Sequence, residues 1–215
     1  MKILLCAATE MEIAPTIHFL TISPHYSINV LITGIGLMAS TYSITKAVAE
    51  HRPDIILQAG IAGSLNKDLP IANVVVVKNE TVGDIGVQEG AKFKSLFDMD
   101  FLNQNAYPFN DAKLYNNHPF LKASGLTIVN GVTVNEISTN PQRINYYEQQ
   151  LNAQIETMEG AALHYVGLLE KIPFLQVRSI SNFIGERNKK KWMMNEAITN
   201  LNYELQRTLL KLSAV

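Results

Sequence analysis

Apolar residues in this chain gather into short unbroken runs, separated by stretches where they recur every three or four positions. Lys2–Ala8, Ser27–Thr33, Ile55–Ala59, Asn73–Lys78, Leu126–Val129, Gln154–Thr157 and Phe174–Ile180 are rich in Ile, Leu and Val and read as strands. Continuous rather than alternating hydrophobicity predicts strands buried on both faces. Leu37–Glu50, Pro141–Leu151 and Gly160–Glu170 read as helices. A last helix carries Met194, Ile198, Leu201, Leu205, Leu209 and Leu212 at three- and four-residue steps. Strands alternating with helices predict an α/β fold with helices on both faces of a sheet, as one domain over residues 1–215. The segment from 83 to 120 breaks the pattern with Gly83, Gly86, Gly90, Pro108 and Pro119. An insertion of that length in a compact domain is more often functional or interface-forming than idle.

Composition narrows the class. The 215 residues are 47% hydrophobic but only 17% charged, with a formal net charge of −1. An average domain is roughly 25% charged, so this chain is core-rich and lacks the basic face that nucleic-acid binding requires. A lone cysteine, Cys6, excludes a disulfide framework and any multi-thiolate metal site. No apolar run reaches 18 residues, and Lys2 precedes too short an apolar stretch for a secretion signal. The expectation is a soluble cytoplasmic protein that contacts neither membrane nor nucleic acid.

In α/β sheets the ligand sits beyond the carboxyl ends of the strands. Reading those positions collects Thr9-Glu10-Met11-Glu12, Gly34-Ile35-Gly36, Gly60-Ile61-Ala62-Gly63, Asn130-Gly131, Met158-Glu159-Gly160 and Ser181-Asn182. Gly34-Ile35-Gly36-Leu37-Met38-Ala39 fits a dinucleotide fingerprint. Its acidic partner, Asp54, begins a strand instead of ending one, so a tight strand-to-helix turn is the better reading. No phosphate-binding loop, no esterase elbow and no histidine spacing for a metal occurs, so neither a metal nor a cofactor is expected. Glu12 and Glu159 both read equally as carboxylates favoured by a helix N-terminus, Arg178 as an ion-pair partner, Met158 as core and Asn182 as a turn residue.

In register, these segments resemble the purine nucleoside phosphorylase/nucleosidase superfamily: Glu10-Met11-Glu12, Thr33 to Gly36, Gln58 to Gly63, Thr157 to Gly160, and Val177 to Asn182. Gly83 to Val87, Gly131 to Asn135, and Ser181-Asn182-Phe183 with Arg187-Asn188 and Trp192 are more similar to the futalosine hydrolases within it. The resemblance implies a three-layer α/β/α fold with a central mixed, mostly parallel sheet. It also implies hydrolysis of the N-glycosidic bond of a small purine nucleoside, futalosine, releasing hypoxanthine in menaquinone biosynthesis. Glu12 would be the base that activates water, Arg178 would hold that water and carboxylate, and Asn182 would bond the departing purine. Glu159 would grip the ribose hydroxyls and Met158 would pack on the sugar. Gly60, Ile61, Ala62, Val134, Asn135 and Trp192 would complete the substrate pocket. Relatives use the region around Gly83 to Lys94 in subunit contacts, which implies a homo-oligomer.

Asn182 stands where adenosine-type nucleosidases carry Asp. An amide NH₂ donates to the O6 of a 6-oxopurine, whereas adenine suits a protonated Asp. Arg187 and the Lys189-Lys190-Lys191 run read as a solvated helix start, or as partners for a carboxylate on the substrate's 5′ tail. A methylthioadenosine/S-adenosylhomocysteine-type nucleosidase, an inosine hydrolase and a non-catalytic purine-nucleoside-binding protein remain the alternatives.

Overall fold

The computed structural model describes residues 1–22, 27–90, 92–186, 188, 190 and 192–213. Its elements in chain order are β1 (Lys2–Ala7), α1 (Glu10–Ile22), β2 (Ser27–Ile32), α2 (Leu37–His51), β3 (Ile55–Ser64), β4 (Val74–Val82), β5 (Gly86–Glu89) and β6 (Lys92–Ser95). They continue with β7 (Leu114–Tyr115), α3 (Phe120–Ala123), β8 (Thr127–Thr133), α4 (Pro141–Gln149), β9 (Ile155–Thr157), α5 (Gly160–Leu169), β10 (Phe174–Phe183) and α6 (Met194–Ser213). No described helix is long and apolar enough to cross a membrane.

The first strand shows why the apolar runs are continuous. Ile3, Leu5 and Ala7 of β1 pack in a core with Ile13 of α1 and with Leu201, Leu205 and Leu209 of α6. Leu4 and Cys6 point the other way, to Ile44 and Val48 of α2 and Leu163 and Val166 of α5. A strand with helices on both faces has no polar side to alternate with. The three-layer arrangement follows, around a mixed sheet in which most pairings are parallel.

The sheet is more than a layer. Its order runs β10-β4-β8-β9-β3-β1-β2, and β10 also pairs with β3. Five strands therefore close into a ring, filled by Ala62, Val75, Val77, Val129, Ile155 and Ile180, while β1 and β2 extend it as an open sheet. β3 and β10 belong to both parts, which is why each is ten residues long. The apolar runs predict strand ends at Ala59 and Ile180, with Gly60 to Gly63 and Ser181-Asn182 as loops after them. In the structure these residues lie inside β3 and β10, because the strands run on from the sheet into the ring.

The strands β5 and β6 pair antiparallel in a separate ribbon within the inserted segment. Arg143 of α4 lies 3.8 Å from the ring centre of Phe93 in that ribbon and donates to Gln88. The Gly34-Ile35-Gly36 turn leads from β2 into α2, with φ of 82° at Gly34 and 93° at Gly36, a left-handed backbone that glycine adopts without strain.

Helix α1 is not among the helices that the apolar periodicity predicts, and Pro15 stands inside it. Its start is nevertheless encoded as Thr9-x-x-Glu12, with the Thr9 backbone N–H donating 3.0 Å to Glu12 Oε2. Proline lacks the donor that a helix interior needs. Beside it, Asn202 of α6 binds the helix on either side of that proline. Its Oδ1 accepts from Thr16 N at 3.1 Å and from Thr16 Oγ1 at 2.7 Å, and its Nδ2 donates to Glu12 O at 2.9 Å. Helix α6 thus fixes the turn that carries Glu12. Replacing Asn202 with Ala leaves buried groups unpaired and should cost about 2–3 kcal/mol of stability; urea denaturation of the two proteins measures it.

Candidate active site

A cavity of about 270 Å³ opens where β3, β9, β10, α1 and α5 converge. Its lining includes Glu12, Ile61, Ala62, Met158, Glu159, Asn182 and Trp192 from the expected set, together with Thr9, Met11, Ile35, Gly63, Ile137, Glu156, Thr157, Ser181 and Ile184. Gly60 and Arg178 lie directly behind Glu12. Val134 and Asn135 do not join the cavity. The Val134 side chain is fully buried in a core with Leu65, Val132, Tyr147 and Ala153, and Asn135 donates through its backbone and amide nitrogens to Asp84. Both residues lie just past the end of β8, where Val134 is drawn into this core and Asn135 stays exposed beside Asp84.

Glu12 is 7% exposed, although it sits in the first turn of a surface helix. Thr9 N and Thr9 Oγ1 both donate to Oε2 at 3.0 Å, and Ile61 N donates to Oε1 at 3.1 Å. The carboxylate is thereby pinned between the start of α1 and the middle of β3. Gly60 makes this approach possible: a Cβ there would collide with Arg178 Nη1 and stand 3.0 Å from Glu12 Oε1.

Arg178 is 1% exposed. Its Nη2 donates to Gln58 Oε1 at 2.8 Å, and its Nη1 reaches Ile61 O at 3.5 Å and Glu159 Oε2 at 3.6 Å. Expected to hold the base carboxylate, the guanidinium instead pairs with the second glutamate. Glu159 also accepts from Gly36 N at 3.0 Å, which ties the turn before α2 to the start of α5. Asn182 accepts through Oδ1 from Ser181 Oγ at 2.8 Å and donates through Nδ2 to Phe183 O at 3.1 Å. These contacts orient the amide and leave its second N–H available to the cavity. Trp192 Nε1 donates to Glu186 O at 3.0 Å, fixing the indole in the wall. Of the neighbouring cations, Arg187, Lys189 and Lys191 lie outside the described residues, and Lys190 is exposed.

Behind the cavity a further acid sits fully buried. Glu80 of β4 accepts from Gln176 Nε2 at 2.8 Å and from Thr133 Oγ1 at 2.9 Å, with Thr157 Oγ1 at 3.5 Å. The two hydroxyls accept in turn from the first N–H groups of α5, Ala161 N to Thr133 at 2.8 Å and Gly160 N to Thr157 at 3.2 Å. Glu80 therefore steadies the helix start that carries Glu159. Gly160 and Gly131, both among the post-strand positions where the sequence places a ligand, make room for this acid instead: a Cβ at either would collide with its Oε1.

Burial pushes the Glu80 carboxyl up to about 7, against its hydrogen bonds and the charge of Arg178. Burial also pushes His164 down to about 4, with Nδ1 facing Leu114 O at 2.9 Å. With Glu80 protonated, a reversed Gln176 amide accepts from it and donates to the neutral imidazole. That arrangement satisfies Gln176 Oε1 and His164 Nε2, both otherwise unpartnered.

Sequence reasoning missed Glu80, Glu156, Ile137 and Ile184. The one available signal for the two acids was a charge within a strand, Glu80 among the polar residues that follow the valines of β4 and Glu156 between Ile155 and Thr157.

Three comparisons bear on the chain. The family model of the Phosphorylase superfamily matches residues 12–211. A futalosine hydrolase from Thermus thermophilus is 26% identical over 185 residues, covering 82% of this chain and 79% of that protein. A 5′-methylthioadenosine/S-adenosylhomocysteine nucleosidase from Maridesulfovibrio salexigens is 25% identical over 165 residues, covering 71% and 67%. Among solved structures, a mutant Helicobacter pylori nucleosidase holding 5′-methylthioadenosine superposes with a TM-score of 0.83 at 18% identity, over 98% of both chains.

A raised acid stabilises the fold fully below the ordinary carboxyl range, and that contribution is lost as pH rises through about 7. Glu80→Gln keeps the neutral shape without the loss. Relative to the unmodified protein, it should gain about 2–3 kcal/mol of stability between pH 5 and pH 8, read from urea denaturation at both values.

Proposed function

The chain belongs to the Phosphorylase superfamily, and from that premise we propose that it is a nucleosidase hydrolysing the N-glycosidic bond of futalosine. The products are hypoxanthine and dehypoxanthine futalosine, and the setting is menaquinone biosynthesis in the cytoplasm. Asn182 is the observation that carries this reading. Its amide is oriented by Ser181 and Phe183 so that a second N–H remains for the purine, which suits the O6 acceptor of a 6-oxopurine.

Water rather than phosphate is the nucleophile that the cavity favours. Its lining holds Glu12, Glu156 and Glu159 and no Lys or Arg among the described residues, and Arg178 is committed to Glu159 and Gln58. Carboxylates repel an anion, whereas a phosphorylase needs cationic clamps or helix N-termini turned to its phosphate.

Glu12 takes the proton from the attacking water, a role worth about 10²–10⁴-fold in rate. Breaking the glycosidic bond builds positive charge on the ribose, and Glu159 stabilises it while accepting from the sugar hydroxyls. Met158 packs on the ribose between them. Asn182 hydrogen-bonds the purine as negative charge moves onto it, and Trp192 offers a stacking face to an aromatic 5′ tail.

A 5′-methylthioadenosine/S-adenosylhomocysteine-type activity is the second reading, favoured by the similarity of the chain to nucleosidases of that name. Incubation with futalosine, inosine and methylthioadenosine without phosphate separates the two: free hypoxanthine supports the first, and adenine alone rejects it. Met11 and Ile35 at the cavity rim, with Met38 and Tyr42 beyond them, leave large apolar side chains in solvent. We propose that a homo-oligomer covers them, and a fully active monomer in analytical ultracentrifugation would refute that.

Glu12→Gln removes the base and keeps the shape, so kcat should fall at least about 10³-fold with affinity for a non-hydrolysable analogue nearly unchanged. Glu159→Ala should weaken that affinity as well as kcat, because the ribose is gripped before and during reaction. Steady-state kinetics and calorimetric titration of both variants provide the comparison.

A further inference from the structure

We propose that Glu156 reads the N1 position of the purine and, together with Asn182, sets a preference for 6-oxopurine over 6-aminopurine nucleosides. The assignment deepens the nucleosidase reading above and rests on it.

Sheet register supplies the first argument. Gly63 of β3 pairs with Asn182 of β10 on one side and with Glu156 of β9 on the other. Residues in one row across a sheet share a face, so the two polar side chains flank a residue that has none. Neighbouring strands lie about 4.8 Å apart, which separates the Asn182 and Glu156 backbones by about 10 Å. Both line the cavity, as does Ile184, whose Cδ1 occupies the space that a Gly63 Cβ would take. The row therefore presents a donor, an apolar floor and an acceptor, at a spacing that admits the edge of a flat bicyclic ring.

The second argument is an unmet hydrogen bond. Glu156 is 5% exposed, and its Oε1 accepts from Ser138 N at 3.1 Å. Oε2 is buried without a hydrogen-bond partner, and the Ser138 hydroxyl, which faces the same carboxyl, is likewise unpartnered among the described residues. An unpaired buried carboxylate oxygen is costly, and a donor arriving in the cavity would relieve it. Burial pushes this carboxyl above its usual range, reinforced by Asp84 and opposed by Ser138.

Purine chemistry identifies the donor. A 6-oxopurine carries a hydrogen on N1, beside the O6 acceptor, whereas a 6-aminopurine presents a lone pair at N1. A carboxylate only accepts. Glu156 therefore completes its hydrogen bonding with a hypoxanthine ring and faces adenine acceptor to acceptor, while Asn182 donates at the O6 and N7 side. Two residues on two strands thus complement the edge that distinguishes the bases.

The test uses the free bases as inhibitors and the nucleosides as substrates. Hypoxanthine should inhibit the unmodified enzyme at least tenfold more tightly than 1-methylhypoxanthine, and Glu156→Ala should abolish most of that difference. In Glu156→Gln, which offers both a donor and an acceptor, the ratio of kcat/KM for futalosine to that for aminofutalosine should fall tenfold or more. Equal inhibition by the two bases, an undiminished methyl penalty in the alanine variant, or an unchanged ratio in the glutamine variant each overturns the assignment. If the alanine variant fails to fold, the isosteric glutamine decides. An unmodified enzyme that binds adenine more tightly than hypoxanthine removes the substrate reading as well, whereas preference for hypoxanthine with indifference to N1 methylation removes Glu156 alone.

Discussion

A guanidinium kept out of water must be surrounded by acceptors, and much of this fold is arranged around that requirement at Arg178. The side chain is 1% exposed, and an isolated charge so placed would be several kcal/mol out of balance. Gln58 and the Ile61 carbonyl answer its two terminal nitrogens from β3, and Glu159 answers from the start of α5, while Nε has no partner among the described residues. The same glutamate accepts from Gly36 at the start of α2. One buried cation therefore sets β3, β10, α2 and α5 against one another, and of these β3 and β10 line the cavity directly.

Polar networks behind the wall extend this rigidity. Glu80 is joined through Thr133 and Thr157 to the first two N–H groups of α5. The N-terminus of a helix is a region of partial positive charge, and here it is matched through two hydroxyls by a buried acid. Glu159 is thus held from the front by Gly36 and Arg178 and from behind by the anchoring of its own helix. A group that must contact a substrate at a fixed angle gains from such support on both sides.

The layers are more legible in the sequence than the closure of the sheet. An unbroken apolar run such as Ile3, Leu4, Leu5 and Cys6 in β1 is a local signature of burial on both faces, and the alternation of strands with helices marks the class. Helix α1 is hidden by Pro15, whose effect on the backbone is offset by Asn202, a residue far away in the chain. The ring of strands is equally hidden, since it depends on β10 pairing with both β3 and β4, and no local pattern reports a pairing across that separation. For the site, Glu12, Glu159 and Asn182 emerge from their order along the chain, and the structure brings them to one cavity. Val134 and Asn135 follow from the same register but lie just past the end of β8, where one is taken up by a core and the other by Asp84, partners that no local pattern reports. Glu156 carries no signal beyond a charge between two strand residues, and its significance appears only when Gly63 and Asn182 are seen in the same row.

The clasp between Asn202 and the first turns of α1 also orders events in time. Glu12 stands near the beginning of the chain, and the side chain that accepts from Thr16 and donates to the Glu12 carbonyl arrives 190 positions later. Contacts so distant in sequence are slow to form, because a long loop must close before they contribute. While the chain is being synthesised, the parallel core of β1, β2 and β3 has all its strands well before the helix that secures Glu12 exists. The cavity can therefore reach its working geometry only after the ribosome has passed α6, a helix made long after the residue it secures.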